Sequence, residues 1–347
     1  MLKPEHRIAI LLHGGILGRD GKTGLAVARY SESEIVAIID RESVGRSLVE
    51  LTRIDRRVPI VASVEDALAC RPDVLLIGIA PSGGKLPDAW MGEIERAVAA
   101  GVSVANGLHQ PMADDPRWRN QLQPGQWIWD IRQEPPNLPI ASAKARSLSC
   151  LRVLAVGTDM AVGKMSASLE IDRAARRRGV RSQFLATGQA GLMISGTGIA
   201  LDAVRVDFAA GAVEQLVTNA GDDRELLVVE GQGSLLHPGS TATLPLMRGA
   251  QPTHLVLVHR TGQTAIARLP HIEIPPLPQV VQLYETVAGV AGYPGKVAAV
   301  ALNTFHYDEE RAREEIAAVE AETGLPCTDA VRFGADRIVD AIESDRP

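Results

Sequence analysis

The sequence has few aromatic residues: they account for 3% of its 347 residues, whereas hydrophobic residues as a whole account for 46%. Its cores must therefore be built from Ala, Val, Leu and Ile, as is typical of buried parallel strands flanked by helices. Cysteine is also scarce, and Cys70, Cys150 and Cys327 lie far apart without a C-x-x-C pair. The sequence thus indicates neither a disulfide framework nor a zinc site, and we expect reduced thiols.

The sequence also lacks an excess of positive charge and long apolar runs. The formal net charge is -6, which argues against nucleic acid or an anionic membrane as a partner. No segment reaches the roughly 20 apolar residues of a membrane helix, and the N-terminal apolar stretch is too short for a signal peptide. We expect a cytoplasmic protein that acts on a small-molecule substrate as a homo-oligomer. Its length is about twice that of a usual domain, so we expect two domains.

Strand-length apolar runs alternate with helix-length stretches, which predicts an α/β fold of two domains with mainly parallel sheets. A segment rich in Pro, Ser and Ala interrupts the pattern, so we place the first domain at residues 1–135, a linker at 136–150 and the second domain at 151–347. A helix is expected to end at Gly101, and the last helix at Gly324. The predicted strands are RIAILL, EIVAIID, DVLLIGIA and GVSVANGL, then LRVLAVG, VRSQFLATG, ELLVVEGQG, HLVLVHR and KVAAVALNT.

Residues 151–166, LRVLAVGTDMAVGKMS, carry the clearest functional motif. A strand-like run enters a Gly-x-x-x-x-x-Gly-Lys turn between Gly157 and Lys164, and a helix-forming stretch follows. This order places backbone N–H groups and a lysine around a phosphate. Met165 stands where a Ser or Thr would hold magnesium, and Ser166 follows one position later.

A weaker echo of this loop lies between Gly15 and Gly24, with Gly21-Lys22-Thr23 at the same spacing. Gly24 falls in the first turn of a short helix, which favours a tight or Rossmann-like turn over a phosphate cradle. Asp40 closes the next strand, either near a ribose hydroxyl or as the cap of a turn. The motif is not G-x-G-x-x-G, so a nicotinamide site is the weakest alternative.

Several polar residues follow other predicted strands, where ligands gather in open parallel sheets. Glu230 is a candidate base or metal neighbour, or alternatively a cap of the glycine turn that follows it. The remaining candidates at strand ends or just beyond them are Gln189, His237, Arg260 and Asn303 in the second half, and Asn106 and His109 in the first. Asp207 lies farther from a strand, before the helix-like AAGAVEQLV, and is either a ligand partner or a helix cap.

Together these motifs resemble the D-glutamate N-acetyltransferase family, long catalogued as a domain of unknown function. The resemblance covers GTDMAVGKM, ATGQAGLMISGTGIALDAVRVDF, VVEGQGSLLHPGS, GAQPTHLVLVHR, ALNT and GLPCTDAVRFGADRIVD, thus nearly all of 151–347, and GLH at 107–109 in the first half. It implies a Rossmann-like N-terminal domain and a P-loop-like C-terminal domain. The GTD-x-x-VGK loop and the VEG turn are also similar to dethiobiotin synthetase.

The family resemblance implies acetyl transfer from acetyl-CoA to the amino group of D-glutamate or a related acceptor, with the loop holding CoA phosphates. No phosphoryl group moves in that reaction, so the magnesium hydroxyl is dispensable. Glu230 or His237 would be the base, Gln189 an oxyanion donor, and Arg260, Asn106 and His109 acceptor-binding residues. The cofactor-binding residues would be Gly157, Thr158, Asp159, Gly163, Lys164, Met165, Ser166 and Asn303.

Two alternatives from other classes stay open. The first is an ATP-dependent ligase or kinase of the dethiobiotin synthetase type, with Lys164 on the phosphates and Ser166 or Asp207 on magnesium. The second is a non-catalytic protein that binds a nucleotide or CoA.

Overall fold

The computed structural model describes residues 2–18, 20–81, 83–290 and 295–344. Contacts divide the chain into two compact units. The first unit consists of Met1–Gln133 and Gln189–Ala200, and the second of Glu134–Gly188 and Leu201–Pro347.

Strands and helices alternate along the described part of the chain, as the sequence pattern predicts. The elements up to residue 133 are β1 (Arg7–Leu11), α1 (Lys22–Tyr30), β2 (Glu34–Ile39), α2 (Leu48–Thr52), β3 (Ile60–Val61), α3 (Val64–Leu68), β4 (Val74–Ile77), α4 (Met91–Ala99), β5 (Ser103–Asn106), α5 (Pro116–Arg119) and β6 (Ile128–Asp130). They are followed by β7 (Leu151–Gly157), α6 (Lys164–Arg177), β8 (Ser182–Leu185), α7 (Gln189–Ser195), α8 (Val206–Gly221), β9 (Leu226–Val229), α9 (Thr243–Ala250), β10 (His254–Arg260), β11 (Ala265–Ile266), β12 (Leu269–Glu273), α10 (Leu277–Val290), β13 (Lys296–Asn303), α11 (Glu309–Thr323), β14 (Cys327–Thr328) and α12 (Asp336–Ser344). Short 3₁₀ helices occur at Asp88–Trp90, Lys144–Ser147 and Leu201–Ala203.

The first unit contains a six-stranded sheet in the order β3-β2-β1-β4-β5-β6, and every pair in it is parallel. Its central strands are almost wholly apolar and buried, as expected for strands covered on both faces. The order runs one way from β1 and the other way from β4, which is the arrangement of a Rossmann-like sheet.

The second unit contains another six-stranded parallel sheet, in the order β14-β13-β10-β7-β9-β8. Strand β7 lies at its centre, and all seven of its residues are buried. Small and β-branched side chains fill the core between the sheet, α6 and α12, among them Val153, Ala155, Ile171, Val256 and Ile338. A separate antiparallel hairpin is formed by β11 and β12.

The predicted α/β class with two mainly parallel sheets is therefore confirmed. The nine predicted strands correspond to β1, β2, β4, β5, β7, β8, β9, β10 and β13. Gly101 has a left-handed φ of 82° just after α4, as predicted. Gly324 ends α11 with a left-handed φ of 68°, as predicted. Contrary to expectation, this helix is not the last one, because α12 follows it. Across the described ranges, no helix combines the length and apolar character needed to cross a bilayer.

The contact-based division differs from the predicted domain boundaries in two places. Residues Gln189–Ala200 belong with the first unit, although the sequence places them in the second domain. The predicted linker is part of the second unit and is fixed against α8, because the N–H groups of Ser142 and Lys144 donate to the Glu214 carboxylate. Gly211 makes the approach possible, since a Cβ there would lie 1.8 Å from the Pro139 carbonyl oxygen.

This packing predicts opposite effects of two helical Gly→Ala substitutions. Gly211→Ala should lower the free energy of unfolding by about 1–3 kcal/mol, because the new methyl group overlaps Pro139. The matched control is Gly289→Ala in α10, where a Cβ meets nothing within 4 Å, and it should be neutral or stabilising by up to about 1 kcal/mol. Urea unfolding measures both, and equal effects of the two substitutions would contradict this packing.

Candidate functional site

The loop between β7 and α6, residues 158–163, joins the central strand of the second sheet to a 14-residue helix. Ala161 takes a left-handed φ of 55°, and Gly163 has a φ of 120° just before the helix begins. No side chain caps this helix start in the described structure. The first-turn N–H groups therefore face the loop, which is the geometry that attracts anions.

Four side chains bind carbonyl oxygens of residues 157–163, three of them from other elements of the unit. The bonds are Tyr284 Oη to Gly157 O (2.7 Å), Lys164 Nζ to Asp159 O (2.8 Å), Arg260 Nη2 to Ala161 O (2.5 Å) and Asn303 Nδ2 to Val162 O (2.9 Å). These four bonds fix the orientation of the loop peptides.

The N–H groups of Ala161, Val162 and Gly163 form no hydrogen bond among those found for the described residues. Since the carbonyl groups of Ala161 and Val162 are engaged, the peptides present a row of free donors beside the helix N-terminus. Such a concave row of N–H groups binds phosphate or carboxylate oxygens.

Lys164 lies beneath the loop and is buried. The glycines at the ends of β7 and after β9 leave room for its side chain: a Cβ on Gly157 would be 3.2 Å from its Nζ, and a Cβ on Gly231 would be 3.0 Å from its Cδ. Gly231 also packs so closely on the sheet that its Cβ would lie 1.6 Å from Ala155 O. The two glycines thus shape the space that holds the lysine.

Glu230 follows β9 and is 5% exposed. Its carboxylate accepts from the N–H groups of Thr187 (2.8 Å) and Gly188 (3.1 Å), at the end of the neighbouring strand β8. The alternative that it caps the glycine turn following it is wrong, because the N–H groups that donate to it lie after β8. Burial raises the pKa of Glu230 to about 7, against the opposing effects of the two N–H groups and the Lys164 charge. The carboxyl can therefore exchange a proton near neutral pH.

Thr158 and Asp159, both predicted to bind the cofactor, are engaged within the protein. Thr158 donates its N–H to Val258 O, and its hydroxyl pairs with His259 Nδ1 at 2.9 Å. Burial lowers the pKa of His259 to about 4, with a contribution from the Arg260 charge, so its imidazole is neutral. The prediction that the Thr158 N–H points to a phosphate disagrees with this geometry, because that donor completes the β7–β10 pairing.

The Asp159 carboxylate ties the loop to the β11–β12 hairpin. Oδ1 accepts from Met160 N–H at 2.6 Å, while Oδ2 accepts from Gln263 Nε2 at 2.6 Å and Ala267 N–H at 2.7 Å. A carboxylate held in this way positions the loop, and it adds negative charge beside the anion cradle. The geometry therefore supports a structural role for Asp159 in positioning the loop.

The other candidates of the second half occupy varied positions. His237 is half-buried, and its Nδ1 accepts from Gly239 N–H, so Nε2 carries the proton of the neutral ring. Met165 and Ser166 lie in the first turn of α6 and are half-buried.

Asp207 is exposed in the first turn of α8, and the described residues contain no cluster of three or more His, Cys, Asp or Glu suited to a metal. Its role as a metal ligand stays a prediction.

Three candidates belong to the first unit. Gln189 opens α7, and its side chain packs against Gly107. Asn106 is buried and fixes the following turn, with Nδ2 donating to Gln110 O and Asp130 Oδ1 and with Oδ1 accepting from Leu108 N–H. His109 is exposed. Of these side chains, Asn106 has its amide fully occupied by the protein, which opposes its predicted contact with a substrate.

Two residues important for the site escaped sequence reasoning. Tyr284 lies in the middle of α10 and reaches Gly157 O across 127 positions of sequence, and it also accepts from Leu235 N–H. Gln263 contacts Asp159 from a turn after β10. Neither residue follows a predicted strand directly or belongs to a glycine motif, so no local signal marks them.

The raised pKa of Glu230 predicts a specific pH dependence of stability. The folded carboxyl keeps its proton up to about pH 7, whereas the unfolded carboxyl loses it near 4.5. Stability from this group is thus full below about pH 4.5 and declines as the pH rises to about 7. Relative to Glu230→Gln, the wild-type free energy of unfolding should fall by up to about 3 kcal/mol across this interval. Urea unfolding at a series of pH values measures this difference in the free energy of unfolding. If wild type and Glu230→Gln showed the same dependence on pH, the raised pKa would be contradicted.

Comparisons with known proteins agree with this architecture. Residues 139–339 match the family model described as the DUF1611 C-terminal P-loop domain, and residues 41–134 match its N-terminal Rossmann-like domain. A crystal structure of a DUF1611 family protein from Anabaena variabilis is 61% identical, with a TM-score of 0.96, and the match covers 98% of this chain and 100% of that chain.

Two curated relatives carry an enzyme name. The D-glutamate N-acetyltransferase of Tritonibacter scottomollicae is 38% identical over 81% of this chain and 84% of its own length. The D-glutamate N-acetyltransferase of a Pseudoalteromonas species is 33% identical over 80% of this chain and 83% of its own length. With family models matching most of its length and relatives of this identity, the chain belongs to the DUF1611 family, as the resemblance in its motifs indicated.

Proposed function

We propose that the chain is an N-acetyltransferase that moves the acetyl group of acetyl-CoA to the amino group of a small amino acid, D-glutamate or a related acceptor. The two curated relatives, both named D-glutamate N-acetyltransferase, support acetyl transfer. The observation that carries the proposed phosphate contact is the fixed loop, in which the Ala161 and Val162 carbonyls are bound and the adjoining N–H groups stay free.

In this proposal the loop binds a phosphate group of acetyl-CoA. The N–H groups of Ala161, Val162 and Gly163 donate to phosphate oxygens, and the Lys164 ammonium adds a positive charge beneath them. The presence of Met165 in the position of the usual magnesium hydroxyl agrees with a reaction that leaves the phosphates intact. Asn303 and Arg260 then act through the loop, by holding its carbonyl groups away from the anion.

The chemical step requires an amine without its extra proton. In our proposal the Glu230 carboxylate accepts that proton, for which its pKa of about 7 is well matched at neutral pH. The amine nitrogen attacks the thioester carbon, the C–N bond forms, the C–S bond breaks, and the CoA thiolate leaves and takes up a proton. His237, with a half-buried imidazole, is the alternative base. Gln189 stays a candidate oxyanion donor, and Arg260 and His109 stay candidates for the acceptor carboxylate.

Removal of the lysine charge tests the phosphate contact. Lys164→Ala should weaken acetyl-CoA binding about 10- to 100-fold, as expected for the loss of one charged hydrogen bond. Lys296→Ala, which removes an exposed lysine of the same unit, should leave the affinity unchanged. Isothermal titration calorimetry with acetyl-CoA, CoA and Mg-ATP measures these affinities. Binding of Mg-ATP alone would contradict the proposal and favour the ligase or kinase alternative.

Replacement of the candidate base tests the chemistry separately. Glu230→Gln should lower kcat for D-glutamate about 10²- to 10⁴-fold and remove the rise in activity around pH 7, because the amide cannot accept the proton. Glu310→Gln, an exposed substitution in α11, is the matched control. Acetylated product is quantified by mass spectrometry with D- and L-amino acids as acceptors. An unchanged kcat at saturating substrate throughout the pH range would exclude Glu230 as the base.

A further inference from the structure

The described part of the β1–α1 loop of the first unit, residues 12–18 and 20–21, lies at the reversal point of its sheet. Strands β1 and β4 are adjacent, with β2 and β3 on one side and β5 and β6 on the other. In open parallel sheets this point opens a crevice at the carboxyl ends of the strands, where nucleotides bind. The loop precedes residue 41 and is therefore outside the residues that match the family's N-terminal model, 41–134.

The described residues of this loop fold tightly around its glycines. A Cβ on Gly18 would lie 2.2 Å from Gly14 O, and a Cβ on Gly21 would lie 2.1 Å from Gly15 O, so glycine is required at both positions. The loop leads into the nine-residue helix α1, whose start at Gly21 has no side-chain cap. Gly24 N–H donates to Gly78 O at 2.7 Å, which holds α1 against the end of β4. The N–H groups of Gly18 and Gly21 form no hydrogen bond among those found for the described residues, so they are main-chain donors at a helix N-terminus.

Two buried side-chain oxygens beside this loop lack hydrogen-bond partners among the described residues. The first is Asp40 Oδ2, and the second is Thr23 Oγ1; both residues are 1% exposed. The Asp40 carboxylate is directed at the loop, because its Oδ1 accepts from Gly14 N–H at 2.9 Å and from Glu42 N–H at 3.2 Å. Buried oxygens without partners are rare in folded proteins and point to a missing partner.

We propose that this loop is a second nucleotide site, separate from the loop before α6. A phosphate of the nucleotide lies at the N-terminus of α1 and accepts from loop N–H groups and from the Thr23 hydroxyl. A ribose hydroxyl donates to Asp40 Oδ2, which gives this carboxylate oxygen its partner. Because both oxygens are buried, the nucleotide reaches them only when the glycine-rich backbone shifts. The site uses residues of the first unit alone, so it does not depend on the proposed acetyl transfer.

The test uses the full chain carrying Lys164→Ala, so that binding at the loop before α6 is suppressed. Calorimetry with NAD and with ADP measures the remaining binding, and circular dichroism confirms that each variant is folded. Asp40→Asn retains an oxygen for the Gly14 N–H but replaces the ribose acceptor with an amide donor. Thr23→Val removes the hydroxyl at nearly constant volume. Glu32→Gln, an exposed change in the same unit, is the control.

We expect binding with a stoichiometry of one, weakened at least tenfold by Asp40→Asn and by Thr23→Val and unchanged by Glu32→Gln. Binding of NAD without ADP would identify a dinucleotide site, and binding of both would identify a site for the shared nucleoside diphosphate. The proposal would be overturned if neither NAD nor ADP bound to the folded Lys164→Ala protein. Binding that neither Asp40→Asn nor Thr23→Val affects would also overturn it. The proposed acetyl-CoA contact is tested separately. It fails if Lys164→Ala binds acetyl-CoA as tightly as the wild type.

Discussion

An anion-binding loop works only if its peptide N–H groups are kept free while its carbonyl oxygens are kept away from the anion. In the second unit this constraint is met by side chains that hold carbonyls of the β7–α6 segment, among them Tyr284, Arg260 and Asn303. Asp159 adds a further tie to the β11–β12 hairpin. The sheet, α10 and the hairpin therefore all contribute to one local geometry, and each bond lowers the entropy cost of ordering the loop when a ligand binds.

Burial of Glu230 and Lys164 beneath this loop couples the two charges. The carboxylate is stabilised by two N–H groups and by the ammonium, but the loss of water outweighs these effects and raises its pKa to about 7. Close packing after β9 makes this burial possible, since Gly231 allows the chain to approach Ala155 O. The same packing that shields the lysine thus places the carboxyl in the pH range useful for accepting a proton from an amine.

Much of the fold was predictable because buried parallel strands have a strong local signature. LRVLAVG and HLVLVHR are mainly apolar and almost wholly buried, and both are central strands. Local patterns also located Lys164, Glu230 and the glycines around them. They did not reveal that Thr158 and Asp159 bond within the protein, or that Tyr284 reaches Gly157, because these contacts depend on residues about 100 or more positions away. The assignment of Gln189–Ala200 to the first unit likewise depends on tertiary packing.

The most direct measurement is a crystal structure of the acetyl-CoA complex, from which the distances between phosphate oxygens and the loop N–H groups are read. The account predicts that a CoA phosphate lies within about 3.2 Å of the N–H nitrogens of Val162 and Gly163, without a metal ion beside Met165. Acetyl-CoA bound elsewhere in the protein, with no phosphate oxygen near these nitrogens, would contradict it.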